Sequence, residues 1–488
     1  MSLRFDPSPI ERFKADLRRI PGYPLGEELP IREMLFESNA LLRLPELLAL
    51  AGAVPANPLL VVMDRTPMRR AGAQLKPLIL TQLHEAGWQP EPIWLEPDGT
   101  GQVHTDFTQI ARVQARLQPG MGVLSVGAGT VTDVAKHACH LYAHERSVAA
   151  LPFVVYQTAN SVSAYTSNMA PVFVEGVKRT LPSRYPDVLV CDLETLRDAP
   201  PEMTAAGVGD LLAAFGSYAD WYLAGRLGID PSYNEFTQTL MGPLDEIFLA
   251  YATAIRAATL EGMAILAKLI ALAGLAMSLS HATAPLSGFE HVMSHVLDLL
   301  AERAQRPLAQ HGTQVALATI LSTAAYRRFL DTFDAAQVAI ERCYPTPEQM
   351  QARITASFSA IDPSGQVAAE CWSDYRQKLE AWHAQRDTFV AFLHEWPDIR
   401  AHVRGLTRPP ELVDQILRQV ASPLGFDQLD PPTSAEDVKF AFLNAPLIRH
   451  RLTLGDLFVF LNWDREALWK QVWATSRALA EQDDKMTR

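Results

Sequence analysis

"GVLSVGAGTVTDVAKHACHLYA", residues 122–143, is the stretch whose reading decides the fold. Its first part is a short apolar run of strand length, and its second part carries apolar residues at helical spacing. Gly127 and Gly129 stand at the junction, so a buried strand turns into a helix that opens at Thr130. Glycine at such a turn lets the backbone approach a phosphate, and the N–H groups that start a helix offer partial positive charge to a pyrophosphate. The spacing G-x-G-x-x-x-D, ending at Asp133, is not the GxGxxG dinucleotide fingerprint, and a plain tight turn is the competing reading.

Working outward, the pattern repeats. "PLLVVMD" (58–64), "EPIWLEP" (91–97), "FVVYQTA" (153–159) and "DVLVCDL" (187–193) read as strands, with helices at "MRRAGAQLKPLILTQLHEAG" (68–87) and "FTQIARVQARL" (107–117). Alternating strands and helices imply right-handed crossovers and a mostly parallel sheet, with ligands at the carboxyl ends of the strands. Asp64 ends the first of these strands, where an acid can accept hydrogen bonds from an adenosine ribose; capping the next helix is its alternative role. Arg65 beside it leaves a 2′-phosphate admissible, so NAD and NADP both stay open. After about residue 200 the strand pattern stops, and helices follow one another across Pro-containing turns such as "CYPTPEQ" and "DPPTSAED". The expected fold is an N-terminal α/β Rossmann-like nucleotide-binding domain with a mostly parallel sheet, residues 1–198. An all-α C-terminal domain follows over 199–488, with an extra helical lobe at about 330–430.

Composition narrows the function classes. The 488 residues are 48% hydrophobic and 20% charged, with a net charge of -12, which argues against nucleic-acid or anionic-membrane partners; an anionic ligand needs a local cation. Cys139, Cys191, Cys343 and Cys371 are widely spaced and form no CxxC pair, as in a reducing cytoplasm. The first twenty residues contain acids and prolines and no apolar core, so no secretory signal is expected in them. "MAILAKLIALAGLAMSLS" (263–280) is apolar but interrupted by Lys268, and is expected to be a buried core helix and not a membrane span. Trp372, Trp382 and Trp396 in the 330–430 region are expected to pack, with a ligand-covering role as the alternative.

"SGFEHVMSH" (287–295) places His291 and His295 four apart, about 40° around a helix axis, and His311 follows at "HG". Two imidazoles on one face can hold a metal or can simply fill space.

Several stretches, in order, resemble one family. "VVMDRTPMRRAG", "VGAGTVTDVAKHA", "TANSVSAYTS", "APPEMTAAGVGDLLA", "YADWYLA", "SGFEHVMSH" and "HGTQVALATI" are similar to sn-glycerol-1-phosphate dehydrogenases. These belong to the superfamily of iron-containing alcohol dehydrogenases, glycerol dehydrogenases and 3-dehydroquinate synthases. The resemblance implies a dehydroquinate synthase-like fold, NAD or NADP, and one divalent metal, zinc first, with iron or nickel as alternatives. By position it implies Asp210, His291 and His311 as metal ligands, a chemically sensible set of one carboxylate and two neutral imidazoles. The cofactor is expected at Asp64, Thr66, Gly127, Ala128, Gly129, Thr130, Asp133, Thr158, Ser161 and Ser167. His295 and Ser163 are the expected catalytic, proton-relay residues, and Ser163, Lys178 and His295 the substrate-binding ones; for His295 a backbone carbonyl partner is the alternative.

Three positions depart from the family. Ser163 stands where the family has an aspartate, Ala214 where it has a lysine, and Ala284 where it has an arginine. A hydroxyl can donate and accept a hydrogen bond but cannot act as a base. Losing two cations removes charge-assisted phosphate contacts, unless Lys178 or an arginine elsewhere supplies them. The implied function is a metal-dependent NAD(P) oxidoreductase acting on a small alcohol or polyol, glycerol 1-phosphate included, and its ketone. A catalytically altered nucleotide- and metal-binding sensor and a 3-dehydroquinate synthase-like lyase are the alternatives. A small-molecule alcohol or ketone is the expected partner, in a cytoplasmic homodimer or higher homo-oligomer.

Overall fold

Leu59 to Met63 and every residue of Gly122–Gly127 are buried, as continuous apolar runs require of strands covered on both faces. The computed structural model describes residues 3–24, 26–174 and 177–482. Its strands are Glu33–Glu37 (β1), Pro58–Met63 (β2), Arg69–Arg70 (β3), Ala73–Gln74 (β4), Gln89–Trp94 (β5), Gly122–Gly127 (β6), Phe153–Gln157 (β7), Met169–Val174 (β8), Val177–Pro182 (β9) and Val188–Asp192 (β10). Six of them form one sheet in the order β1-β10-β7-β6-β2-β5, with every pairing parallel. Among the described residues no strand follows β10, so the α/β-then-helical reading holds.

The chemistry of each strand explains its place. Pro90 and Pro92 lie in β5, and a residue without an N–H is tolerated there because β5 is an edge and the two prolines, two apart, turn the same side outward. The other edge, β1, has only three apolar residues between two glutamates, too few for a strand signal in the sequence. The helix expected from Met68 begins at Leu75 instead. Ala71 and Gly72 take positive φ, 48° and 81°, and make the tight turn that pairs β3 with β4. The helical run 200–227 is divided at Ala213 into Pro201–Leu212 and Ala214–Arg226.

The chain forms two compact units that interleave in sequence. The first contains Met1–Val174, Lys178–Leu211 and Glu235–Leu279, and the second Leu212–Asn234 and Ser280–Arg488. The first is organised around the sheet, whose core includes Leu59, Val61, Leu124, Val126, Val154 and Val190. It also holds Leu260–Leu279, the helix among the described residues that is long and apolar enough to cross a membrane; 78% of its apolar window is buried in the protein.

The second unit is helical. Trp382 stacks on Phe460 at 4.5 Å and donates through Nε1 to Cys343 O at 2.8 Å, and Trp396 packs edge-on against Phe329 and Phe333. Both side chains are core; Trp372 is half-buried. The four cysteines are buried and unbridged.

Two outcomes follow from this packing. The Pro201–Leu212 helix crosses the Asn160 backbone so closely that a Cβ at Gly207 would lie 2.0 Å from Asn160 O. Gly207→Ala is therefore expected to destabilise the fold by about 3 kcal/mol, read from urea unfolding. His137 is 3% exposed, and burial, reinforced by His140 and Lys136, pulls its imidazole down to about 4. A depressed base contributes stability above its unfolded value of about 6.5 and loses it as pH falls toward 4. Between pH 8 and pH 5 this group accounts for a loss of about 2 kcal/mol, and His137→Phe should flatten that slope in unfolding curves taken at both pH values.

Candidate metal and cofactor site

The order of the sheet places the first cluster. The chain moves from β2 outward to β5 and then returns to the other side of β2 as β6, so the strand order reverses between β2 and β6. A crevice at the carboxyl ends of strands at such a reversal is where open α/β sheets bind ligands. Met63 is in register with Val126, so Asp64 and the turn Gly127–Thr130 leave neighbouring strands at the same level. Thr158 leaves β7 beside them, its N–H donating to Gly127 O at 3.2 Å.

Asp64 does not cap the following helix, whose N-cap is Gln74. It is held by Lys76, whose Nζ also donates to Asp64 O at 2.6 Å and Thr66 O at 2.7 Å, and it accepts from Thr66 Oγ1. The Gly129–Arg146 helix starts after Ala128 with no side-chain cap. Neither Gly127 nor Gly129 has positive φ; they are glycines because a Cβ would come within 2.4 Å of Val131 Cβ and Val162 Cγ2, respectively. Other expected cofactor residues point into the interior. Asp133 pairs with buried Lys136 at 2.8 Å, and burial raises its carboxyl despite that lysine. Ser161 Oγ lies 3.3 Å from Tyr165 OH, and Ser167 Oγ accepts from Met169 N. Lys178 lies on β9 over the Phe173 ring; Glu175 and Gly176 just before β9 are outside the described residues.

Asp210, near the end of the Pro201–Leu212 helix, accepts at Oδ2 from both Ser163 N and Ser163 Oγ, each at 3.1 Å. Ser163 thus orients a carboxylate. Asp210, His291 and His311 each offer one ligand atom, and these atoms lie within 4.8 Å of one another. All three expected ligands come together, from one helix end, the first turn of Phe289–Arg303 and the first residue of His311–Thr332.

The histidines differ in how their second nitrogen is held. His291 Nδ1 lies 3.2 Å from Oε1 of Glu290, a fully buried carboxylate that also accepts from Gly288 N. His311 Nδ1 lies 3.3 Å from Ser294 Oγ, which sits 2.5 Å from the Gln314 side-chain amide. A ring bonded through Nδ1–H has an unprotonated Nε2, the form in which imidazole binds a metal. For His295 the roles are reversed. Arg449 Nη2 lies 3.1 Å from its Nδ1, and a guanidinium can only donate, so the neutral ring carries its proton on Nε2. His295 is thereby a donor toward its surroundings, distinct from the other two.

Behind Glu290 lie the buried Asp220 and Tyr326 and the half-buried Arg451. Burial, and then the like charge of Glu290, push Asp220 up to about 7, while its bonds from Tyr326, Leu454 N and Phe289 N oppose that rise. Burial pulls Arg451 down, and Glu290, Asp230 and Asp220 push it back. Glu290, Ser294 and Arg449 are absent from the sequence reading. The Glu-His dipeptide signals the first, but nothing local connects residue 449 to residue 295.

Residues 35–200 match the family model described as iron-containing alcohol dehydrogenase. The glycerol-1-phosphate dehydrogenase (NAD(P)+) of Bacillus subtilis strain 168 is 31% identical over 271 residues, covering 55% of this chain and 66% of that protein. That of Bacillus velezensis is 29% identical over 310 residues, 63% of this chain and 73% of the relative. The chain thus spans just under two thirds of the Bacillus subtilis protein's length. In fold it is similar to the iron-containing alcohol dehydrogenase from Thermococcus thioreducens, with TM-score 0.55 and 14% identity over 92% of this chain and 99% of that one. Glycerol dehydrogenase from Schizosaccharomyces pombe gives TM-score 0.54 and 13% identity over 92% and 91%.

If Glu290 fixes the tautomer of His291, Glu290→Gln should lower zinc affinity by about 10- to 100-fold in chelator competition, with the melting temperature of the apo protein little changed. An affinity equal to wild type would show that Glu290 does not orient the ring.

Proposed function

We propose that this chain, whose residues 35–200 match the family model described as iron-containing alcohol dehydrogenase, belongs with that family and is a metal-dependent NAD(P) oxidoreductase interconverting a small alcohol or polyol and its ketone. The observation that carries the reading is the convergence of Asp210, His291 and His311, widely separated in the chain, on one donor set within 4.8 Å. One carboxylate and two imidazoles suit zinc or a similar divalent ion and leave coordination positions for a substrate oxygen. When bound, the ion supplies Lewis-acid activation of the substrate oxygen and the nicotinamide supplies hydride exchange.

The chain's own residues divide the remaining work. Asp210, His291 and His311 would hold the ion, with Ser163, Glu290 and Ser294 fixing their orientation through Oδ2 and the two Nδ1 atoms. His295 presents its Nε2 proton to the substrate oxygen as it gains or loses charge. Asp64, Gly127 to Thr130 and Thr158, at the ends of β2, β6 and β7, form the cofactor cradle. Ser163 has its hydroxyl committed to Asp210, so its part in the reaction is positioning. The enzyme is read as a cytoplasmic homo-oligomer with a small-molecule partner.

The test is a zinc-reconstituted assay following NADH and NADPH oxidation with dihydroxyacetone, dihydroxyacetone phosphate and simple ketones. Turnover should disappear on chelation and return with zinc, and His291→Ala should lose bound metal and about a hundredfold or more of kcat/KM. Retention of both metal and activity in His291→Ala would refute the site. Metal and NAD binding without turnover of any ketone would favour the sensor reading.

A further inference from the structure

A short loop joins the proposed cofactor turn to one of the proposed metal ligands. The Gly129–Arg146 helix, which begins at that turn, touches the loop first at Gly129 and again at Lys136. A Cβ at Gly129 would lie 2.4 Å from Val162 Cγ2, so the bare Gly129 backbone rests directly on the Val162 side chain. About two helical turns further along, Lys136 Nζ donates to Ala164 O at 2.9 Å and pairs at 2.8 Å with Asp133, both side chains buried.

The same loop runs along the Pro201–Leu212 helix in matching register. A Cβ at Gly207 would lie 2.0 Å from Asn160 O, and three residues on in both segments Ser163 N and Oγ donate to Asp210 Oδ2, each at 3.1 Å. The loop is pinned elsewhere by Tyr165 OH, which donates to Ala159 O at 2.6 Å, and by Thr166 Oγ1, which donates to Ala271 O at 2.7 Å. All of these residues belong to the first compact unit. Between the pins Val162, Ser163 and Ala164 are half-buried, and they are set from two sides. A group seated on the turn fixes Gly129 against Val162, and the carboxylate that Ser163 grips is fixed when Asp210 holds an ion. Ordering the same three residues costs conformational entropy once, so the second ligand to arrive meets a loop already set.

We propose that Val162 and Ser163 couple the two sites: occupancy of the cofactor turn sets Asp210 for the ion, and occupancy of Asp210 sets the turn for the dinucleotide. Both are positioning residues, since each acts through another group. The proposal takes the identity of the two ligands from the oxidoreductase reading, but the coupling is measured without turnover. The full-length chain is stripped of metal with a chelator and reloaded with zinc. NADH affinity is read from nucleotide fluorescence with and without zinc, and zinc affinity from chelator competition with and without NADH.

In wild type each ligand should tighten the other by about 10-fold, and by linkage the two factors should be equal. Val162→Ala should bring the factor down to about 2-fold, while each ligand alone binds within about 3-fold of wild type. Ser163→Ala should lower the factor to about 3-fold and weaken zinc alone by about 5-fold, whereas Ser163→Thr, which keeps the hydroxyl, should stay near wild type. A wild type in which neither ligand alters the other's affinity would overturn the proposal. So would a coupling that survives in full in both Val162→Ala and Ser163→Ala, the result expected if the charge of the ion alone draws in the dinucleotide. Should Ser163→Ala lose its cooperative melt, Val162→Ala decides. Coupled binding without turnover of any ketone would sink the oxidoreductase reading and leave the coupling standing. Zinc-dependent turnover with uncoupled binding would do the reverse.

Discussion

A wholly buried carboxylate sets the terms for the interior of the second unit. Glu290 is fully buried, so its charge has to be met by protein groups. Gly288 N and the His291 ring meet Oε1, Oε2 makes no hydrogen bond among the described residues, and Arg451 supplies the compensating positive field. Arg451 in turn needs acceptors, which Ser287 O and Thr283 Oγ1 provide, and Asp220 completes the group through Tyr326, Leu454 N and Phe289 N. The bonds these groups make tie helices from distant parts of the chain into one arrangement. The orientation of the His291 ring is one consequence.

The same economy governs the neighbouring polar side chains. Asp210 is held through Oδ2, His311 through Nδ1, and His295 through Nδ1 with the opposite proton assignment. Three similar imidazoles therefore receive two different proton arrangements from their partners alone: an unprotonated Nε2 for two and a protonated Nε2 for one. In the first unit the arrangement depends on backbone. Strand order reverses between β2 and β6, and the residues leaving those strands gather without needing side-chain contacts to bring them there.

Much of this was legible in the sequence for identifiable reasons. Buried parallel strands are continuous apolar runs, so β2, β6, β7 and β10 could be read directly, and the glycine junction at 127–129 marked the turn. The edge strand β1 escaped because three apolar residues between glutamates carry no period, and the β3–β4 hairpin escaped because Ala71, at φ 48°, is not a residue that announces a turn. Asp133, Ser161 and Ser167 were expected at the cofactor from the family resemblance; in the fold their side chains also make buried bonds, which the sequence pattern does not reveal. Ser163 stood out as a departure from the family pattern; its partner, Asp210, was visible only once the loop had been placed against the helix.

By itself, then, the sequence determined the layer order of the chain, because local periodicity is written along the backbone, and its ordered motifs, through their resemblance to a known family, pointed to the three candidate ligands. Tertiary structure alone decided what each polar side chain faces. Whether His295 donates or ligates depends on Arg449, which is placed by Lys378 and Asp456, and these contacts join residues 154, 68 and 73 positions apart. Protonation and charge balance are properties of contact in space, and no stretch of chain read in order contains them.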